Sequence, residues 1–157
     1  MKTQFSFVAL LVVVLLTFNS VNAAEEKVSK DQVPKAVLEA FEKAYPNAKE
    51  VEFEKEMIEG KAAYEVEYKE NGKEYEILYD SEGVVLQKEE AIDVKTLPEP
   101  VVQAITKAYP EATIKEAEKV MAPDGTITGY EVEIKTEGKE LELELDTFGK
   151  ILKTEQD

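Results

Sequence analysis

The chain has 157 residues, of which 34 are Asp or Glu and 19 are Lys or Arg, and its formal net charge is −15. This acidity argues against binding to nucleic acids and to anionic lipid surfaces, because both require clustered Lys and Arg. The chain contains no Cys and no His, which excludes a thiol nucleophile, an imidazole base and a His/Cys zinc site, so we expect no enzymatic activity and no cofactor.

The N-terminal residues have the pattern of an export signal. Lys2 supplies a positive charge, an apolar run follows from Phe7 to Leu16, and Val21-Asn22-Ala23 fits the small-residue rule for cleavage. The apolar run is shorter than the roughly 20 residues that a membrane-spanning helix needs. We therefore predict a signal peptide at residues 1–23, export to the periplasm or the medium, and no membrane attachment after cleavage. Because the chain has no Cys, we expect neither a lipoprotein anchor nor a disulfide.

The remainder of the chain contains one sequence unit twice. Residues 33–48 return as residues 97–112 with eight of sixteen positions identical, at an offset of 64. The segment Tyr64-Glu65-Val66-Glu67 returns as Tyr130-Glu131-Val132-Glu133 at an offset of 66, so two residues are inserted in the second copy. We predict a first repeat at residues 24–92 and a second at residues 93–157. A unit of about 60 residues buries too little surface for high stability, so we expect the repeats to form one compact body.

Each repeat is predicted to open with a helix. Pro34 and Pro98 suit the first turn, where a missing N–H has no consequence. The dipeptides Tyr45-Pro46 and Tyr109-Pro110 end the helices, because the residue before a proline avoids helical angles. The apolar faces repeat at helical spacing, and they consist of Val37, Phe41, Ala44 and Tyr45 in the first copy and Val101, Ile105, Ala108 and Tyr109 in the second.

Strands are predicted after each helix. Glu and apolar residues alternate at residues 51–57, 64–69, 74–79, 130–135 and 140–145. The segment from Ile114 to Met121 alternates less regularly. Strict alternation indicates a sheet with one buried and one wet face. The predicted fold class is therefore α+β, with two tandem repeats, each one helix followed by an antiparallel sheet of about four strands, and with the helix packed on one sheet face.

Turn residues separate the predicted strands. Asn71-Gly72 is typical of a two-residue hairpin turn. The segments Asp80-Ser81-Glu82-Gly83 and Asp146-Thr147-Phe148-Gly149 begin with Asp and end with Gly, as type I turns do. Carboxylates are ligands that calcium prefers, but these turns supply few oxygens and the chain has no EF-hand spacing. We interpret them as hairpin turns and assign no metal ligand.

The order of these motifs resembles a known family. In both copies Val/Leu-Pro opens the helix, Lys-Ala-Tyr-Pro-x-Ala closes it, and a Tyr-Glu-Val strand and an Asp-x-x-Gly turn follow. This pattern resembles the PepSY-like family, also described as β-lactamase-inhibitor-like, over nearly all of the predicted mature chain. The resemblance implies an exported bacterial protein of two helix-plus-sheet repeats whose sheet face holds another protein. Because no inhibitory loop matches residue by residue, inhibition of a β-lactamase is not inferred.

The wet sheet face is the candidate binding surface. The residues on it that we predict to bind a partner are Glu65, Glu67, Glu74, Glu76, Leu78, Glu131, Glu133, Glu140, Glu142 and Glu144. Acidic side chains on such a face favour a basic partner by raising its association rate, whereas solubility and edge protection are the competing explanation. Leu78 takes the wet-face position that Glu144 takes in the other copy, either as an anchor or as a residue covered near the seam. If the faces are reversed, the exposed residues would be Tyr64, Tyr68, Tyr75 and Tyr79.

The sequence thus predicts a non-enzymatic exported binding module. Its partner would be an unidentified protein or peptide, for which the acidity favours a basic one, and an inhibitor-like restraint of an exported enzyme is one form of this role. The alternative is a small-ligand or calcium binder in the seam between the repeats. The molecule is expected to be a monomer or a weak homo-oligomer, because open sheet edges can pair with another copy.

Overall fold

The structure is a computed structural model that describes residues 26–156. The signal peptide predicted at residues 1–23 lies outside the described residues. The strands are β1 (Glu26–Lys27), β2 (Lys49–Ile58), β3 (Lys61–Glu70), β4 (Lys73–Asp80), β5 (Val85–Ala91), β6 (Thr113–Met121), β7 (Ile127–Thr136), β8 (Lys139–Asp146) and β9 (Ile151–Gln156). The helices are α1 (Lys35–Ala44) and α2 (Glu99–Ala108), preceded by short 3-10 helices at Lys30–Gln32 and Val94–Thr96.

The nine strands form one continuous antiparallel sheet in chain order. The predicted fold class, with a separate helix-plus-four-strand sheet in each repeat, is therefore wrong, since residues 26–156 form mostly one sheet with two short α-helices. The sheets merge because β5 and β6 pair directly, with residues 88–91 opposite residues 118–121. A separate four-stranded sheet would leave unpaired N–H and C=O groups on its edges, and this pairing satisfies them at the seam between the repeats.

Helices occur at both positions that the apolar spacing predicts, but only part of each expected face is buried, because Ala44 and Ala108 are exposed. Val37 and Phe41 of α1 and Val101 and Ile105 of α2 are buried. Burial of each such side chain stabilises the fold by roughly 1.5–3 kcal/mol. Neither helix within residues 26–156 is long and apolar enough to cross a membrane.

The hydrophobic interior consists of two clusters, one in each repeat. The first cluster joins α1 to β3 and β4 through Val33, Val37, Phe41, Tyr64, Val66, Tyr68, Ile77 and Tyr79. The second joins α2 to β6, β7 and β8 through Leu97, Val101, Ile105, Ala117, Tyr130, Val132, Ile134, Leu143 and Leu145. The tyrosines of β3 and β4 thus lie on the helix side of the sheet, and the faces are not reversed.

The two Asp-x-x-Gly segments form tight turns of the same design. Oδ1 of Asp80 accepts hydrogen bonds from the backbone N–H groups of Glu82 and Val84, both at 2.9 Å. Oδ1 of Asp146 accepts the equivalent bonds from Phe148 and Lys150, also at 2.9 Å. Each of these carboxylate oxygens therefore holds the backbone of its own turn, which is the role that the hairpin interpretation gives it.

Candidate functional site

The strand register brings all ten predicted partner-binding residues to one face of the sheet. Glu65 lies opposite Leu78 and Glu67 lies opposite Glu76 between β3 and β4. Between β7 and β8, Glu131 lies opposite Glu144, and Glu133 and Glu140 belong to the same alternating sets. Both helices pack on the other face, so this acidic face is not covered by either of them.

A line of seven carboxylates crosses this face from β2 to β8, and we call it the carboxylate row. The register pairs that define it are Glu52 with Glu67, Glu67 with Glu76, Glu76 with Glu89, Glu118 with Glu131, and Glu131 with Glu144. The row is continuous across the seam, because carboxylate oxygens of Glu76, Glu89 and Glu118 lie within 4.8 Å of one another. Residues of both repeats therefore meet at its centre.

Two members of the centre of the row were not among the predicted site residues. Glu89 lies in β5 and is only 6% exposed. Glu118 lies in β6, where a bulge between Ile114 and Glu116 interrupts the alternation. The sequence repeat could have predicted Glu118. Glu54 lies 64 residues before it, which is the offset between the helices of the two repeats, and Glu54 pairs with Glu65 on the wet face.

Burial and mutual repulsion raise the pKa of the central carboxyls. The pKa of Glu118 is about 9, because of burial and then of the charges of Glu76 and Glu89. The pKa of Glu131 is about 10, because of burial and then of Glu89 and Glu142. The pKa of Glu67 is also raised, by burial and by Glu74. Each group thus holds a proton at pH values where an exposed Glu is ionised.

Lysines neutralise the two ends of the carboxylate row. The Nζ atom of Lys27 lies 2.8 Å from Glu52 at the β2 end, and this contact lowers the pKa of Glu52. The Nζ atom of Lys153 lies 3.2 Å from Glu144 at the β8 end. Along the row, the pKa is therefore lowered at Glu52, beside Lys27, and raised at Glu118 and Glu131 in the centre.

The other predicted residues have different surroundings. Glu74 lies 3.6 Å from Lys69, and Glu140 lies 3.1 Å from Lys135, so each has a cation beside it. Leu78 is only 8% exposed and is covered near the seam, which is the second of the two roles considered for it. Glu74 and Glu140 thus have lysine neighbours, whereas the carboxyls of Glu118 and Glu131 in the centre of the row have raised pKa values.

The helix side of the seam has the opposite character. Glu90 in β5 lies 2.7 Å from Lys119 in β6 and 2.7 Å from Lys73 in β4, so ion pairs connect the two repeats there. Lys88 also donates a hydrogen bond of 2.9 Å to the carbonyl of Pro123. Opposite charges therefore hold the seam together on one side, while like charges crowd it on the other.

A cavity of about 710 Å³ lies elsewhere, in the first repeat. Its walls are formed by the N-terminal segment, α1 and β2, with Leu38, Phe41 and Phe53 among the lining residues. None of its lining residues belongs to β5 or β6. This cavity is therefore not at the seam, where the small-ligand alternative places its site.

Comparisons with known proteins identify relatives of the same architecture. The family model described as "Putative beta-lactamase-inhibitor-like, PepSY-like" matches residues 18–87 and again residues 84–153. A solved BLIP-like protein from Bacteroides fragilis is 22% identical with a TM-score of 0.53, and the match covers 79% of this chain and 86% of that one. A DUF2874 family protein from Bacteroides ovatus is 19% identical with a TM-score of 0.58, covering 80% and 89%. A protein from Bacteroides eggerthii, described as a putative periplasmic protein, is 14% identical with a TM-score of 0.61, covering 79% and 88%. At these identities the structures show a shared fold alone, and no curated protein matches the chain.

Proposed function

The chain belongs to the putative β-lactamase-inhibitor-like, PepSY-like family, and on this basis we propose that it is a non-enzymatic, exported binding module that holds a basic protein or peptide on its acidic sheet face. The family that the sequence motifs indicated is confirmed by the match to both repeats. The observation that carries the proposal is the carboxylate row, whose central members have raised pKa values.

A cationic partner would relieve the repulsion within this row. A pKa raised by one unit corresponds to about 1.4 kcal/mol of free energy that disfavours the charged carboxylate. A Lys or Arg side chain placed between two carboxylates replaces the bound proton and lets both groups ionise. The row crosses six strand spacings, or roughly 29 Å, which is long enough for several such contacts. Basic segments are thus the chemical class that this face suits best.

Location and the lack of catalytic groups support a binding role. The predicted export signal and a related fold described as periplasmic both favour a position outside the cytoplasm. The family is named for inhibitor-like proteins, and the chain has no Cys or His to serve as a nucleophile or base. Restraint of an exported enzyme is therefore one form that the binding could take.

The proposal is tested by capture from the native envelope fraction with matched variants. The face variant Glu76→Gln/Glu118→Gln/Glu131→Gln removes three central carboxyl groups, so that a bound cation can no longer make them ionise. The control variant Glu39→Gln/Glu111→Gln/Glu137→Gln removes the same number of carboxyl groups from exposed positions away from this face and from the turns beside it. We expect a protein that the wild type and the control retain and the face variant loses, with affinity lowered by about tenfold or more, since paired charges are worth several kcal/mol. Recovery of the same proteins by all three baits would contradict the proposal.

The calcium or small-ligand alternative keeps one specific observation in its favour. Oxygens of Glu76, Glu89 and Glu118 within 4.8 Å of one another come from both repeats and meet at the seam. Calcium binds oxygen ligands at 2.3–2.6 Å, so oxygens at this separation suit a shared cation. A cation would also compensate the like charges there.

Thermal unfolding separates this alternative from the basic partner. Calcium bound to the folded state alone would raise the melting temperature, and the stabilisation would grow with the logarithm of one plus the ratio of its concentration to the dissociation constant. The gain should disappear in Glu118→Gln and persist in Glu111→Gln, which is exposed. Absence of any shift with Ca²⁺, Mg²⁺ or a panel of small metabolites would remove the alternative and leave the protein partner.

A further inference from the structure

All large exposed apolar side chains of the described residues lie at one end of the sheet. They are Met57, Ile58, Val84, Leu86, Ile127, Phe148 and Leu152, and we call them the turn-end patch. Phe148 is the most exposed, at 84%. Single exposed apolar residues are ordinary on a protein surface, but contiguous apolar patches mark interaction sites.

The topology explains why these residues share one end. In an antiparallel sheet whose strands follow chain order, successive hairpins alternate between the two ends. The turns after β2, β4, β6 and β8 therefore lie together, and each member of the patch is in one of these turns or within two residues of it. The turns at the other end contain Asn71-Gly72 and Glu137-Gly138, and no large exposed apolar residue of the described chain lies there.

Bulges at two of these turns expose two of the leucines. The register between β4 and β5 shifts between Leu78 and Tyr79, so that Val85 and Gln87 have partners and Leu86 does not. The same shift between β8 and β9 leaves Leu152 without a register partner. A bulge redirects the side chain of its extra residue, so the repeat places a leucine at the turn end in both copies.

We propose that the turn-end patch is the apolar part of the docking surface for the partner of the acidic face, and that this partner presents apolar side chains beside Lys or Arg. This inference rests on the proposed function. From β2 to β8 the patch extends over about six strand spacings, or roughly 29 Å, which is the scale of a protein interface. It runs along the end of the same strands that carry the carboxylate row.

Charge selects a basic protein over a second copy of this chain. In the four turns of the patch, the exposed acids Glu59, Glu82 and Asp124 outnumber the exposed base Lys150. Two copies that met through this end would bring these acids together, in a chain whose net charge is −15. A basic surface would meet them favourably, with apolar contacts supplying most of the affinity and charge raising the rate of association.

The test uses two synthetic peptides of equal charge on the mature chain. One alternates lysine with serine, and in the other several serines are leucine. The patch variant is Leu86→Ser/Phe148→Ser/Leu152→Ser, and its control Asn47→Ser/Asn71→Ser/Ala108→Ser changes exposed residues elsewhere. We expect the wild type and the control to bind the leucine peptide about tenfold tighter than the serine peptide, as burial of one leucine allows. The patch variant should lose this gain and still bind the serine peptide normally.

Each other outcome has a definite meaning. If the patch variant keeps the full preference for the leucine peptide, the patch is not part of the docking surface, while the proposed function stands. If neither peptide binds the wild type, or if both bind the variant Glu76→Gln/Glu118→Gln/Glu131→Gln as they bind the wild type, the acidic face itself fails and the inference fails with it. If the wild type is a dimer in solution and the patch variant a monomer, a second copy is the occupant and the inference is overturned.

Discussion

Gly83 and Gly149 show at the scale of single residues how the repeat constrains its turns. Their φ angles are +80° and +84°, in the region that L side chains rarely adopt. A Cβ at Gly83 would lie 2.5 Å from the carbonyl oxygen of Ala36, and one at Gly149 would lie 2.3 Å from that of Pro100. Each turn thus packs directly on the first turn of the helix in the same repeat. Glycine is required there because of the positive φ angle and because a Cβ would clash with a helix carbonyl.

Substitution of Gly149 should destabilise the fold more than substitution of a glycine that has a positive φ angle but no close neighbour. Gly149→Ala should lower the free energy of unfolding by about 3 kcal/mol. Overpacking of this kind typically costs about 1–3 kcal/mol, and the backbone strain at positive φ adds to it. Gly138 has φ +79° with nothing within 4 Å of a new Cβ, so Gly138→Ala should cost only about 1 kcal/mol. Urea unfolding measures both, and equal losses would show that the turn does not pack on the helix.

At Tyr79, by contrast, a substitution is expected to stabilise the fold. Tyr79 is 1% exposed, and within the described residues its hydroxyl has no hydrogen-bond partner. Burial raises the pKa of this phenol, and the second repeat has Leu145 at the equivalent position. Tyr79→Phe removes an unsatisfied buried polar group and should raise the free energy of unfolding by about 1 kcal/mol. Tyr64→Phe is the control, because no unsatisfied hydroxyl is found at Tyr64, and a fall in stability on Tyr79→Phe would contradict the prediction.

At the scale of elements, periodicity predicted helices and strands, but not that strands of the two repeats pair with each other. The apolar spacing of Val37 and Phe41, and the alternation of Tyr64 to Lys69, report which side chains share a face. They carry no information about which strand lies beside β5, since pairing across the seam depends on backbone groups that every residue has. The bulge in β6 hid Glu118 for a related reason, because one extra residue breaks the period of two.

The pairing of β5 with β6 makes stability depend on pH. The pKa of Glu118 is about 9 and that of Glu131 about 10 in the folded protein, against 4.5 for an ordinary Glu. Between these values the folded state holds protons that the unfolded chain releases, so stability falls as pH rises. The slope for each such group is about 1.4 kcal/mol per pH unit. The lowered pKa of Glu52 and of Glu90 acts in the opposite sense, but only below about pH 4.5.

We therefore expect the melting temperature to decrease from pH 5 toward pH 9, the range bounded by the pKa of Glu118. The variant Glu118→Gln/Glu131→Gln should have a flatter profile and should be more stable than the wild type at the upper end, because the amides cannot ionise. The variant Glu111→Gln/Glu137→Gln, which changes exposed residues, should follow the wild type. A wild-type melting temperature that rises with pH over this range would refute the assignment of bound protons to the seam.

At the scale of the whole molecule, the two repeats share a sheet but not an interior. Each repeat has its own hydrophobic cluster. The seam includes four register pairs between β5 and β6, and the ion pair between Glu90 and Lys119. The seam could not be predicted from the sequence, because its chemistry depends on Glu89 and Glu118 meeting across the boundary between the repeats.

The isolated first repeat, residues 24–92, should therefore be much less stable than the full chain. Separation removes the ladder hydrogen bonds of β5, each worth about 1 kcal/mol, and leaves Glu90 without Lys119. A unit of this size has little stability to lose. It also removes the repulsion between the carboxylates of the two repeats, so the pH dependence of its unfolding above about pH 5 should be much weaker than that of the full chain, with Glu67 as a remaining contributor. Calorimetry of residues 24–92, 93–157 and 24–157 measures both effects.

A cooperative transition of residues 24–92 at the temperature of the full chain would show that the seam contributes no stability. A pH slope of residues 24–92 as steep as that of the full chain would show that the slope does not come from the seam.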